Sequence, residues 1–315
     1  MADSVNTTEI AALRNYVLTH RDEIKELSLR GAPSLRFFTP HPGVKGQEWL
    51  EWADISDIVK RWDNAFSADA DTITRRPVTI TSHHHKAEFT IKPRTDLATY
   101  KGYIVRTKQN PEVYTFSQWA IRKGTEKIKT QQEFDQIFTG DLNAVGTTAS
   151  DMYNGLLTII ADDLAAGTPK LTPITTGALT SANIIAKIRQ MADSVDEKYK
   201  TGMRLFAAPE VVRMYADAIH DGQNYHPGSN IMNNVMEMNI PGRTVTLVSC
   251  PGMTGSQRLF MTTPENLWHA YDADNDQEVW EFEKDHRNID AWCDYWSGAG
   301  FYILDNRILK VNDQA

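Results

Sequence analysis

The chain has few cysteines, no long apolar run, and none of the short motifs that mark nucleotide or hydrolase chemistry. Cys250 and Cys293 are its two cysteines, far apart and outside any CxxC pair. A disulfide framework is therefore not expected, and a reducing compartment fits. No apolar stretch approaches the roughly 20 residues that cross a bilayer. The opening MADSVNTTEIAALRNYV lacks the basic start and apolar core of a secretory signal, so none is expected. The P-loop signature, GxGxxG after a strand, HExxH and GxSxG are all missing, which removes the commonest sequence grounds for nucleotide binding or hydrolysis.

What is present is an ordinary globular composition: 315 residues, 41% hydrophobic and 10% aromatic. That is enough for a well-buried core in one large or two modest domains. The net charge of -8 disfavours general nucleic-acid binding by the whole surface. The average hides an asymmetry. Arg75 to Thr130 carries twelve Lys and Arg against four Asp and Glu, whereas Met261 to Ala315 carries four against twelve. Either two solvated faces of opposite sign result, or neighbouring copies complement one another head to tail, or the basic face meets packaged nucleic acid.

Periodicity predicts a mixed α+β chain without a repeat of short βα units. A polar helix runs from about Asn6 to Gly31, with Ile10, Leu13, Val17, Ile24 and Leu27 at helical spacing, and it resembles an arm that lies on another subunit. Trp52, Ile55, Val59, Trp62 and Phe66 repeat at three and four, predicting a short amphipathic helix with a surface to cover. PVTITS, AEFTIK and YIVRT are expected strands. A long basic helix is expected from Glu112 to Gly140, interrupted by Gly124, and a second ends at Gly167. Further on, a helix capped at Thr180 or Ser181 buries Ile184, Ile188, Met191 and Val195. MRLFAA is a strand, a helix with Pro209 in its first turn ends before Gly222, and a long loop precedes the strands RTVTLVS, QRLFMT, EVWEFEK, GFYIL and RILKV.

Two constellations invite a metal. His83, His84 and His85 are adjacent, and in a strand only His83 and His85 share a face, with no Cys or Asp nearby to complete a set. In YDADNDQEVWEFE, Asp272, Asp274, Asp276 and Glu283 take EF-hand ligand spacing, but Gln277 stands where the loop needs glycine and the flanks are strand-like. A polar turn between strands is expected there. No metal, cofactor or catalytic residue is assigned: carboxylates such as Asp162, Asp163 and Asp294 carry no distinguishing feature, and Cys293 in AWCDYW has the setting of an inert thiol.

From Leu171 on, MRLFAAPEVVRMYADAI, then IPGRTVTLVSCPGMTGSQRLFMTTPENLWHAYDADND, then DHRNIDAWCDYWSGAGFYILDNRILKVN resembles the C-terminal half of tailed-bacteriophage major capsid proteins. The resemblance implies the Hong Kong 97-like fold. It would comprise an N-terminal arm (1–35), an extended loop (36–90), a peripheral domain with a spine helix (91–179), an axial domain (180–262) and strands returning to the peripheral domain (263–315). The first half fits by layout alone, and the helical spacing from Trp52 to Phe66 departs from a plain two-stranded loop.

The resemblance implies a non-enzymatic subunit, made in the host cytoplasm, that self-assembles into hexamers and pentamers of an icosahedral shell around phage DNA in the virion capsid. Portal, scaffold and decoration proteins would be partners, DNA would be met non-specifically, and no membrane would be involved. Trp49, Trp52, Trp62, Arg75 and Arg76 are the candidate subunit contacts. The alternatives are an encapsulin-like compartment shell, a tail or decoration protein, and a soluble metal-dependent enzyme using His83 and His85.

Overall fold

The computed structural model describes residues 3–55, 73–110, 115–223, 229–232, 235–273, 280–286 and 288–314. In chain order the elements are α1 (Asp3–Thr19), α2 (Arg21–Arg30), β1 (Thr39–Pro42), β2 (Gln47–Ile55), β3 (Ile73–Thr81), β4 (His83–Ile91), α3 (Pro93–Thr107) and α4 (Phe116–Gln131). They continue with α5 (Leu156–Ala165), α6 (Ile184–Asp193), β5 (Arg204–Ala207), α7 (Pro209–Gln223), β6 (Ser229–Met232), β7 (Val235–Asn239) and β8 (Thr246–Ser249). Last come β9 (Phe260–Thr262), β10 (Leu267–Ala273), β11 (Glu281–Asp285), β12 (Asn288–Phe301) and β13 (Lys310–Val311).

The expected N-terminal helix is two helices that meet at His20, and their apolar stripe is occupied within the chain. Leu13 and Val17 are fully buried, and Ile24 and Leu29 nearly so, in a core shared with Ile121 and Ile128 of α4 and Ile289 of β12. Residues four apart share one helix face, so a mostly polar sequence still buries a continuous seam. That seam lies on the same chain and not, as the sequence led us to expect, on a neighbour.

The long basic helix forms as α4. Its start is fixed by a capping box, in which the Thr115 hydroxyl accepts from the Gln118 amide and the Gln118 side chain accepts from the Thr115 amide. Such reciprocal bonds satisfy donors that a helix start leaves open. A π-helical turn, Gln132–Gln136, ends it. Gly124 is inside the helix because two rings press on it. A Cβ there would stand 2.8 Å from the Phe89 ring and 3.1 Å from that of Trp280, and these two rings meet edge to face.

YIVRT is helical, not extended. Pro93 opens α3, the Asp96 carboxylate accepts from the Lys92 amide at 2.7 Å, and Tyr100 and Ile104 bury one face. Spacing by four outweighs the β-branched composition, which is only a weak preference. Trp52 and Ile55 belong to β2, antiparallel to β3 in a two-stranded ribbon, so the helical spacing beginning at Trp52 is not realised there. Val59, Trp62 and Phe66 lie outside the described residues. The ribbon's root is buried: Val78 and Ile80 are in the interior, and Leu50 packs against a cluster containing Trp268.

Two sheets organise the rest. In the first, β12 is central: β4 runs along one edge, β10 and β11 follow one another along the other, and β1 adds in parallel to β10. Burial along β12 alternates from Asn288 to Ser297 and then becomes continuous, the signature of a strand covered on one face and then on both. In the second, the order is β13-β9-β5-β8-β7-β6, backed by α6 and α7, whose Ile184, Ile188, Val212 and Tyr215 enter the largest core. α6 starts after Asn183, slightly later than the Thr180 or Ser181 expected, and α7 runs through Gly222 to Gln223. Part of the expected long loop is the hairpin β6–β7.

Candidate assembly surfaces

The ribbon collects four of the five predicted contact residues, and Trp62 lies outside the described residues. Trp49 faces Thr79 and Trp52 faces Arg76 across it. Trp49 is 70% exposed and Trp52 48%, unusual for side chains that normally dominate cores and interfaces. Arg75 approaches Glu51 at 3.9 Å with both side chains open to solvent, a contact of little energetic weight. Arg76 is held more firmly. Its guanidinium donates to Asp305 at 3.0 Å, and Arg307 holds the same carboxylate at 2.9 Å. Bonds from Arg307 first, then Arg76, depress the Asp305 pKa to about 2.

This bears on the charge asymmetry. Arg76 belongs to the basic middle and Asp305 to the acidic end, and they meet inside one chain. Between β4 and β12 the Thr90 hydroxyl donates to Asp290 at 2.8 Å, while Lys86 pairs with Glu88 of its own strand at 3.0 Å. Part of the complementarity is therefore spent holding the subunit together.

The histidine run lies in β4, with His83 and His85 on one face as alternation requires. His85 is buried, and its Nε2 sits 3.1 Å from the Ser297 carbonyl oxygen. A carbonyl only accepts, so Nε2 carries the hydrogen. Desolvation lowers the His85 pKa to about 4. Among the described residues no group of three or more His, Cys, Asp and Glu is placed to hold a metal ion. The aspartate-rich stretch is flanked by β10 and β11, not by helices. Asp272 pairs with Lys45 at 3.3 Å, Glu283 lies on β11, and Asp274 and Asp276 fall outside the described residues.

One functional-looking residue was invisible in the sequence. Glu133, in the π-helical turn, is 1% exposed. Its carboxylate accepts from the Ser34 amide at 3.0 Å, the Ser34 hydroxyl at 2.6 Å and the Gly252 amide at 3.1 Å. Burial raises its pKa, against the opposing pull of these bonds. Glu133 thus pins the end of α4 to the segment after α2 and to the short helical turn Pro251–Met253 after β8. Gly252 must be glycine here, because a Cβ would fall 1.9 Å from the Glu133 carbonyl oxygen. A lone Glu within QEFDQ has no pattern that announces this.

No family model and no curated protein matches the chain. Solved structures do. A chain of the satellite phage P4 procapsid that includes the size determination protein superposes with a TM-score of 0.50 at 13% identity, covering 93% of this chain and 97% of that one. The capsid of a native GTA particle gives 0.50 at 13% identity, covering 91% and 95%. The SrpI encapsulin complex from Synechococcus elongatus PCC 7942 gives 0.48 at 11% identity, covering 89% and 86%. The chain has the Hong Kong 97-like capsid fold.

Proposed function

We propose that this chain is a major capsid protein, packing as hexamers and pentamers into an icosahedral shell around phage DNA. The observation that carries the reading is the whole-chain match to procapsid and capsid chains, over 93% and 91% of its length. The ribbon supports it, since exposed tryptophans on a two-stranded ribbon are costly in a monomer and useful between subunits. In this reading α4 is the spine helix of the peripheral domain (91–179), the second sheet with α6 and α7 makes the axial domain (180–262), residues 36–90 are the extended loop, residues 1–35 the arm, and residues 263–315 the return.

A shell subunit acts through its interfaces and needs no active site. Each contact can be weak because each copy makes many. Trp49, Trp52, Trp62 and Arg75 contact neighbours directly, and Arg76 acts through the ribbon that it braces. Scaffold, portal and decoration proteins would join this lattice, with synthesis in the host cytoplasm and DNA met without sequence preference. The metal-enzyme alternative loses its ligand pair to the burial of His85 and its bond to Ser297. Sedimentation of the chain expressed alone, and with a candidate scaffold, tests the proposal. Large particles or rings are expected. A monomer under both conditions at high concentration would contradict it.

A further inference from the structure

We propose that the indole of Trp49 from a second copy of this chain seats in the cavity between α4 and the open edge of β4, with strand β2 of that copy lying along the edge. This rests on the shell reading above and names which two surfaces meet.

The receiving site is a cavity of about 420 Å³ whose wall includes His85, Phe89, Gly124, Gln136, Met152 and Trp280. Gly124 presents no side chain to it. The wall also includes five consecutive residues of β4, from His85 to Phe89. Successive side chains point to opposite faces, so a cavity touching all five reaches the strand's edge. Among the described residues that edge has no partner: β4 is nine residues long and pairs only with β12. An open edge of this length is a template for another strand, and proteins that keep one use it or cover it.

The entering strand has matching features. β2 is also nine residues long and pairs only with β3. Of its two tryptophans, Trp52 is 48% exposed and lines a small cavity with Arg76, Tyr199 and Asp305 of its own chain, whereas Trp49 is 70% exposed. Glu51, two residues on from Trp49, shares its face of β2, and Lys123 and Lys127 stand at the cavity on α4. Lys123 pairs with Glu126 at 3.0 Å on an exposed helix face, a weak bond that an incoming carboxylate can exchange.

The chain's own Trp49 is out of reach of this cavity. It faces Thr79, and β3 runs on into β4 with only Ser82 between them. Thr79 and His85, the nearest of the β4 residues that line the cavity, are six residues apart along the chain, roughly 20 Å at strand rise. The occupant is therefore a second copy.

Glu51→Cys combined with Lys127→Cys tests the contact in assembled particles under oxidation. Covalent ladders are expected from the double variant and not from either single one, because the native Cys250 and Cys293 are buried. On the unaltered chain, amide exchange of residues 83–91 should slow at least about tenfold on assembly. Particles that form with neither a ladder nor slowed exchange would overturn this contact and leave the shell reading standing. Slowed exchange without a ladder would put a different segment on the edge and remove Trp49 from it. Failure to form any particle, with or without scaffold, would overturn both.

Discussion

Replacing Glu133 is the sharpest test of how the subunit is held together. The carboxylate serves three donors, two of them backbone amides with no route to water. In Glu133→Ala the Ser34 hydroxyl can turn elsewhere, but the amides of Ser34 and Gly252 cannot. Each orphaned amide costs about 1–3 kcal/mol, so the variant should lose about 4 kcal/mol. Glu133→Gln is more discriminating. With its oxygen toward Gly252, its NH2 faces the Ser34 amide. Flipped, it faces the Gly252 amide. One donor–donor clash remains in either pose, and the loss should be about 1–3 kcal/mol. Urea unfolding of the unassembled chain, followed by tryptophan fluorescence, measures both. The raised pKa sets a sign. A carboxyl whose folded pKa lies above its ordinary value of 4.5 contributes stability that is present below that value and lost as pH rises through the folded pKa. The stability of the unaltered chain relative to Glu133→Gln should therefore fall with rising pH across that window. Equal stabilities of both variants and the parent, with no such slope, would refute the assignment of Glu133 as the pin.

Other expectations can be checked in the same assays. Arg76→Glu should cost no more than about 1 kcal/mol in the unassembled chain, because Arg76 is 43% exposed and such pairs contribute little, yet it should reduce particle yield in electron micrographs by releasing the ribbon from Asp305. Asp305→Asn should remove an acid-sensitive contribution. With the folded pKa depressed to about 2 from 3.8, that contribution is present above the ordinary value and lost as pH falls toward 2, so the parent should lose stability there relative to the variant. Gly124→Val should lower the melting temperature, at a cost of about 1–3 kcal/mol for crowding Phe89 and Trp280. Leu13→Ala should cost about 3 kcal/mol in the unassembled chain; no cost there would mean that α1 packs on a neighbour instead.

The helices of the C-terminal half were legible because they keep one period: Ile184, Ile188 and Met191 mark α6, and Pro209 opens α7. β12 was not, since the expected strand GFYIL overlaps it only at Gly300 and Phe301. Legibility failed where composition and period disagreed. YIVRT is β-branched, yet Tyr100 and Ile104 bury as a helix does. Trp52 begins a run at helical spacing, yet cross-strand pairing with Arg76 fixes it in a ribbon. Glycine in α4 looked like a break, and its reason, the rings of Phe89 and Trp280, lies far away in sequence. The polar N-terminal helices gave no sign that their narrow stripe closes a core in the same chain. Trp49, Trp52, Arg75 and Arg76 share one ribbon, a pairing that their spacing in the sequence did not announce. Glu133 was not legible either, because a buried carboxylate is defined by partners 99 and 119 residues away.

Electron cryomicroscopy of particles formed by this chain tests the central claim most directly. The account predicts closed shells in which rings of five and six copies carry this fold, each ribbon reaching onto a neighbour. Particles of any other symmetry, or a chain that stays monomeric beside its scaffold, would contradict it.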